Sequence, residues 1–464
     1  MPKTNRVGDA GIAQGGPRVI TFVPFLDPLW QALGCVFTDP SLVTCREILV
    51  GWVMCLGQRT EFRVFEAFLG QRVSRRSRHP FDRFYNFFSR TAWTVRDLAQ
   101  QVALQLVVAM QPAGELHVVV DGTLLYKSGK CVWGIGWFHD PVASTKKRVA
   151  TALGNKWVVL GLVVPIPGTQ RYFCLPIHAR LQYPKRDSEP ALAQAMLRDL
   201  LVWFPGRQVL LVADGGFSAK SLLRDLDPRV RYVGLMRGDA ALHETRIPQR
   251  RKGQRGPTRH QGRRLPSPRQ IARLAPGRAG TGRWQTVRVH AYGQQRRCQV
   301  RAFQAAWPKV FGTRVIQVVI CRPLDKGYDE VYLYTTDLTA GADWVVEMYA
   351  RRTTIETTFK SSKQVLEIQK PQHRCRASIE RLAPWVWLMQ SVIALWYLAE
   401  GRHTPEARAA RRGLGPWESE WSYRHMLRLF RRIVVRATIR KMSQSKHELQ
   451  QLAERLENYL YLAA

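Results

Sequence analysis

Two apolar runs in the chain each close on an aspartate followed by glycine: LHVVVDG (116–122), which carries Asp121, and QVLLVADGGF (208–217), which carries Asp214. A later stretch, YARRTTIETTFKSSK (349–363), contributes Glu356. Three carboxylates converging from two strand ends and a helix can hold two divalent ions bridged by Asp121. Such a pair activates a water or a 3′-hydroxyl and stabilises the leaving oxygen of a phosphodiester. Ligands that are all oxygen favour Mg²⁺ or Mn²⁺. Asp-Gly alone is a common turn dipeptide, so the weight rests on the three acids in strand, strand, helix order within a basic chain.

On a helix, Tyr349, Arg352, Glu356, Lys360 and Lys363 fall within an arc of about 80°. Trp344, Met348, Ile355 and Phe359 form an apolar stripe beside that arc, so the helix can dock on a core and still present the polar row. Arg352 suits a bidentate phosphate clamp and Lys363 a point charge. Tyr349 could contact a phosphate or stack on a base, and Lys360 is as well placed on the face as Lys363. The plainer alternative is an amphipathic helix with i,i+4 ion pairs.

The 464 residues include 71 Lys and Arg against 35 acidic residues, a formal charge of +36, yet 45% are hydrophobic. A folded chain of that charge is expected to meet an extended polyanion, nucleic acid first. No run of 18 apolar residues appears, and the N-terminus lacks the apolar core of a signal peptide, which predicts an intracellular protein with no membrane partner. Eight cysteines without C-x-x-C spacing argue against a zinc site or a disulfide framework.

The positioning elements follow in order. Residues 1–112 read as an N-terminal helical domain. Thr94 is a predicted N-cap, and the mixture of Arg75, Arg76, Arg78, Arg83 and Arg90 with Phe81, Phe84, Tyr85, Phe87 and Phe88 suits DNA binding. Residues 113–238 alternate strands and helices, with a meander after Asp121 and a helix opening at Ser188. Residues 239–313 form a basic insertion. Between Thr245 and Arg301 it holds 16 Lys and Arg and no acid. Its linker, including Arg250, Arg251, Arg263 and Arg264, is expected to order on DNA backbone, ahead of two strands of a small β-structure. Residues 314–401 restore strands, then the Tyr349 helix and an apolar core helix, and residues 402–464 form a C-terminal helical region with Arg runs.

The spacing of Tyr349, Arg352, Glu356 and Lys363, with VVVDGT and VADGGF upstream, resembles one large group of bacterial insertion-sequence DDE transposases over roughly residues 113–400. The resemblance implies an α/β, RNase H-like mixed sheet flanked by helices and interrupted by an insertion between the second Asp and the Glu. It implies that Asp121, Asp214 and Glu356 bind two Mg²⁺ or Mn²⁺ ions, and that Tyr349, Arg352 and Lys363 hold phosphates near the cleaved end. It further implies double-stranded DNA partners (transposon ends and target), a homodimer in the synaptic complex, and a bacterial cytoplasmic, nucleoid-associated setting. Two other readings compete: an RNase H-like nuclease or resolvase, and a transposase-derived DNA-binding protein without catalysis. The absence of a Gly-rich loop leading into Lys-Ser/Thr argues against an ATPase.

Overall fold

The LHVVVDG run becomes β1 (Leu116–Tyr126) of a computed structural model that describes residues 23–69, 80–111, 113–140, 143–145, 148–249, 260–275, 282–325, 329–415 and 419–442. The strand continues five residues past Asp121, so this aspartate lies mid-strand and not at its end as the sequence predicts. β2 (Gly136–His139), β3 (Thr151–Pro165) and β4 (Tyr172–Gln182) form the expected antiparallel meander beside β1. On its other side β1 pairs in parallel with β5 (Val209–Ala213), which pairs in parallel with β6 (Val230–Leu235). All five residues of β5 are buried, as an apolar run flanked by parallel neighbours requires. The order β4-β3-β1-β5-β6, with β3 the one antiparallel to both neighbours, is an RNase H-like mixed sheet.

The basic insertion extends this sheet. β7 (Gln285–Ala291) and β8 (Gln294–Ala306) form a hairpin, and β9 (Val315–Pro323) and β10 (Val331–Thr335) link it to β6, giving ten strands. Tyr292 and Gly293 both have positive φ (55° and 76°), as a two-residue hairpin turn of this twist demands. Arg301, a member of the basic run, is buried and faces inward. Its guanidinium donates to the carbonyls of Gly282 (2.8 Å), Ile271 and Leu274 (2.9 Å each) and Ala275 (3.1 Å). It therefore fastens the loop, and is not available to DNA.

Helices cover both faces. The N-terminal set is α1 (Asp27–Ala32), α2 (Asp39–Met54), α3 (Glu61–Leu69), α4 (Pro80–Ser89) and α5 (Val95–Met110). Thr94 caps α5, its hydroxyl accepting from the Asp97 N–H at 3.1 Å. Three of the aromatics in the Arg-and-aromatic segment turn inward. Phe84, Phe87 and Phe88 are almost wholly buried, Phe87 and Phe88 pack with Trp93, and Phe84 packs with Phe65 and Phe68. Arg83 pairs with Glu47. Arg75, Arg76 and Arg78 lie outside the described residues. Burial of those rings secures the domain's core at about 1.5–3 kcal/mol per large side chain, and leaves Arg90 and Tyr85 as exposed members of the segment.

α6 (Glu189–Trp203), capped by Ser188, packs over β3 and β4, and the short α7 (Lys220–Leu223), α8 (Pro268–Ile271) and α9 (Pro308–Phe311) follow. The Tyr349 stretch is two helices, α10 (Ala342–Ala350) and α11 (Thr354–Gln364), joined by a 3-10 turn over Arg351–Thr353. α12 (Arg376–Ala399) is long and apolar enough to cross a membrane, yet 94% of its apolar window is buried against β4, α4, α5 and α14. α13 (Pro405–Arg412) and α14 (Tyr423–Met442) close the described chain; the rest of the predicted C-terminal helical region, 443–464, lies outside it. The N-terminal helices are fastened to the segment that follows α11. Trp52 donates to the Leu366 carbonyl (3.2 Å), and buried Arg59 to the carbonyls of Trp52 (2.9 Å) and Val365 (2.8 Å).

Candidate active site

β1 and β5 run in parallel with Val120 opposite Ala213, so Asp121 and Asp214 are the next residues on adjacent chains, whose backbones lie about 4.8 Å apart. Asp214 leaves the strand as the cap of a 3-10 turn, its Oδ1 accepting from the Gly216 N–H at 2.9 Å. Asp121 Oδ1 accepts from the Gly122 N–H at 2.7 Å. Gly122 turns to the other face, where the Lys156–Glu189 pair crosses it and leaves no room for a Cβ.

Glu356 reaches this rim from the first turn of α11, which Ile355 and Phe359 anchor in the core. Arg352 joins the two elements. Its Nη1 donates to Asp121 Oδ2 at 2.9 Å and its Nη2 to Glu356 Oε1 at 2.5 Å. The 3-10 turn brings this about, because it tightens the backbone just before α11 and swings Arg352 back over the carboxylates. Arg352 Nε is buried and bonds nothing among the described residues.

Burial leads the electrostatics of the rim, with the neighbouring charges acting on top of it. Burial pushes the Asp121 carboxyl up to about 7; the Arg352 guanidinium pulls it down, while Asp214 and Glu356 push it up further. Burial opposes the charge on Arg352, but Asp121, Tyr349, Glu356 and Asp214 together raise its affinity for the proton. Tyr349 is half-buried beneath the same guanidinium, 6.0 Å from its ring centroid. Burial drives its hydroxyl up to about 12, with Arg352 opposing and Asp214 and Tyr292 adding.

The predicted row therefore divides. Tyr349 and Arg352 stand at the carboxylates. Lys360 is exposed one turn beyond Glu356 and lines an adjoining groove. Lys363 is half-buried further along α11, 5.9 Å from the ring centroid of Tyr126, the last residue of β1. Arg263 and Arg264 are exposed on the insertion loop, and Arg250 and Arg251 lie outside the described residues. Sequence reasoning missed two cations of the hairpin: Arg288 and Arg297, both exposed, are directly opposite each other. The Tyr-Gly turn signals that register, since the two residues are equidistant from it.

No three His, Cys, Asp or Glu side chains among the described residues close on one point, and Arg352 bonds across the space between Asp121 and Glu356. In kind the donors fit a hard dication: all are carboxylate oxygens, and the Asp121 carboxyl, raised first by burial and further by Asp214 and Glu356, is a group whose charged form such an ion would favour.

A family model described as "DDE superfamily endonuclease" matches residues 35–302, which include Asp121 and Asp214 and stop short of Glu356. No curated protein matches the sequence. Among solved structures, the chain is similar to a cryo-EM structure of the piggyBac transposase synaptic complex with hairpin DNA, at 12% identity and a TM-score of 0.43. That alignment covers 90% of this chain and 76% of the other. With more than half its length matched by the family model, the chain belongs to the DDE superfamily endonucleases.

Proposed function

We propose that the chain is a DDE transposase of the bacterial insertion-sequence group with the Tyr-Arg-Glu-Lys spacing, cleaving DNA at transposon ends and joining the freed 3′-hydroxyl to target DNA. The observation that carries this is the convergence on Arg352: the register neighbour of Asp214 and the helix-borne Glu356 share one guanidinium. Asp121, Asp214 and Glu356 would hold Mg²⁺ or Mn²⁺, which when bound supplies a polarised phosphate and an activated oxygen nucleophile.

The protein's own groups do the rest. Arg352 neutralises the carboxylates in the free chain through its two Nη groups. Tyr349, whose hydroxyl stays protonated throughout the physiological range, can donate to a phosphate at the site. Arg288, Arg297, Arg263 and Arg264 present positive charge from the insertion. Directly opposed like charges on adjacent strands destabilise a sheet, so Arg288 beside Arg297 favours a polyanionic partner. Two transposon ends must be brought together, which calls for a homodimer on double-stranded DNA in the bacterial cytoplasm.

The family description, endonuclease, equally supports a metal-dependent nuclease or resolvase. A labelled end fragment incubated with supercoiled plasmid and Mg²⁺ separates the two. Covalent transfer of label to plasmid is the expected result; cleavage without transfer would leave only the nuclease.

A further inference from the structure

A groove of about 580 Å³ adjoins the catalytic rim, between β4, the outer face of α11, the Tyr292 hairpin tip and the start of α14. Lys360, one turn from Glu356, forms one wall, and Arg171, Arg351 and Arg424 line the remainder. From Arg424 the positive charge continues along α14. Arg424, Arg428, Arg432 and Arg436 are exposed at four-residue steps, while Met426, Leu427, Leu429, Phe430 and Val434 bury the opposite face. Each step advances about 6 Å, close to the separation of successive phosphates along a DNA strand. Exposed Arg408 and Arg412 of the neighbouring α13 repeat the spacing beside it.

Like charges at i,i+4 repel by a few tenths of a kcal/mol per pair, and α14 carries three such pairs in succession. Glu406 faces the far end, pairing with Arg436 and also acting on Arg432. Glu420 pairs with Arg411 of α13. Resting on the transposase reading, we propose that this groove and the α14 ridge form the track for duplex DNA flanking the cleaved end, with Lys360, Arg424, Arg428 and Arg432 on its phosphates.

Two of the aromatic rings lining the groove, Tyr172 and Tyr292, lie under cations, which favours a backbone track over a platform for unpaired bases. Arg351 lies over the Tyr172 ring at 4.1 Å, and Arg296 over Tyr292 at 5.5 Å. Guanidinium groups thus cover the ring faces on which bases would stack. A guanidinium seated flat on a ring still presents N–H edges to an anion.

The test is binding of a fluorescein-labelled 40-base-pair duplex, and separately of labelled dT40, by the full chain across a range of NaCl concentrations. The triple variant R424Q/R428Q/R432Q should lower the slope of log affinity against log salt by about 2–3, at roughly 0.9 per lost phosphate contact. Duplex affinity at 150 mM salt should fall at least 10-fold. The charge-preserving R424K/R428K/R432K should restore the slope, and thermal unfolding of the Gln variant should match wild type. An unchanged duplex slope, or a loss confined to dT40, would overturn the track. A lowered slope in the Gln variant together with no Mg²⁺-dependent DNA cleavage by wild type would refute the catalytic reading while leaving the track in place.

Discussion

Arg352 and Asp121 share a 2.9 Å charge-assisted hydrogen bond between a 3-10 turn and the middle of the strand that carries the first acid. The same guanidinium holds Glu356, so one side chain balances the acidic rim in the free protein. Arg352→Ala should release the repulsion among Asp121, Asp214 and Glu356. Its melting temperature in EDTA is expected to drop, and Mg²⁺ to recover more of it than in wild type. Single-turnover cleavage should slow by about 10²-fold or more. Wild-type rates from the variant would mean that Arg352 is only a structural ion pair.

The hairpin offers a trade between stability and binding. Arg297→Gln removes one of two directly opposed cations and should stabilise the fold by about 0.5 kcal/mol. It should also lower the salt slope of duplex binding by about 1. Urea denaturation and a salt titration read both. A less stable variant with an unaltered slope would show that Arg297 serves the sheet and not DNA.

How the N-terminal helices stay docked should depend on pH. Buried His373 meets Glu61 of α3 beneath the rings of Tyr85 and Phe88. Burial raises the Glu61 carboxyl to about 8 and lowers the His373 imidazole to about 3, so both are held neutral near pH 7. A raised carboxyl stabilises the native state fully below pH 4.5 and loses that contribution as pH climbs through about 8. A lowered imidazole contributes above pH 6.5 and loses its effect as pH falls toward 3. Lys127 in the same cluster is lowered by burial to about 8, with Glu61 opposing; its contribution has the opposite sign to that of Glu61. Glu61→Gln should therefore gain on wild type by more than about 1 kcal/mol between pH 6 and pH 9. Denaturation at the two pH values checks this, and a constant difference would contradict it.

Much of this was legible in the residues. The apolar runs before Asp121 and Asp214 could only be central strands, and Ser188 and Thr94 cap helices as their types require. The carboxylates' shared rim follows from a parallel register that no single strand reveals. In the aromatic-rich 81–88 segment composition could not say which way a ring faces; amphipathic spacing turned Phe84, Phe87 and Phe88 inward. The continuous wheel over 349–363 missed the 3-10 turn, where successive residues advance by more than 100°. Lys363 stands about two turns along α11 from Glu356, while Arg352, within the 3-10 turn, lies on the acids.

The central claim is that three acids distant in sequence act as one metal-dependent unit. It is tested most directly by Mg²⁺-dependent cleavage of a duplex carrying the element's terminal repeat, using wild type and the single variants Asp121→Ala, Asp214→Ala and Glu356→Ala. Each variant should bind the duplex as wild type does and lose cleavage by at least about 10³-fold. Full cleavage by any one of the three, at unaltered DNA affinity, would contradict it.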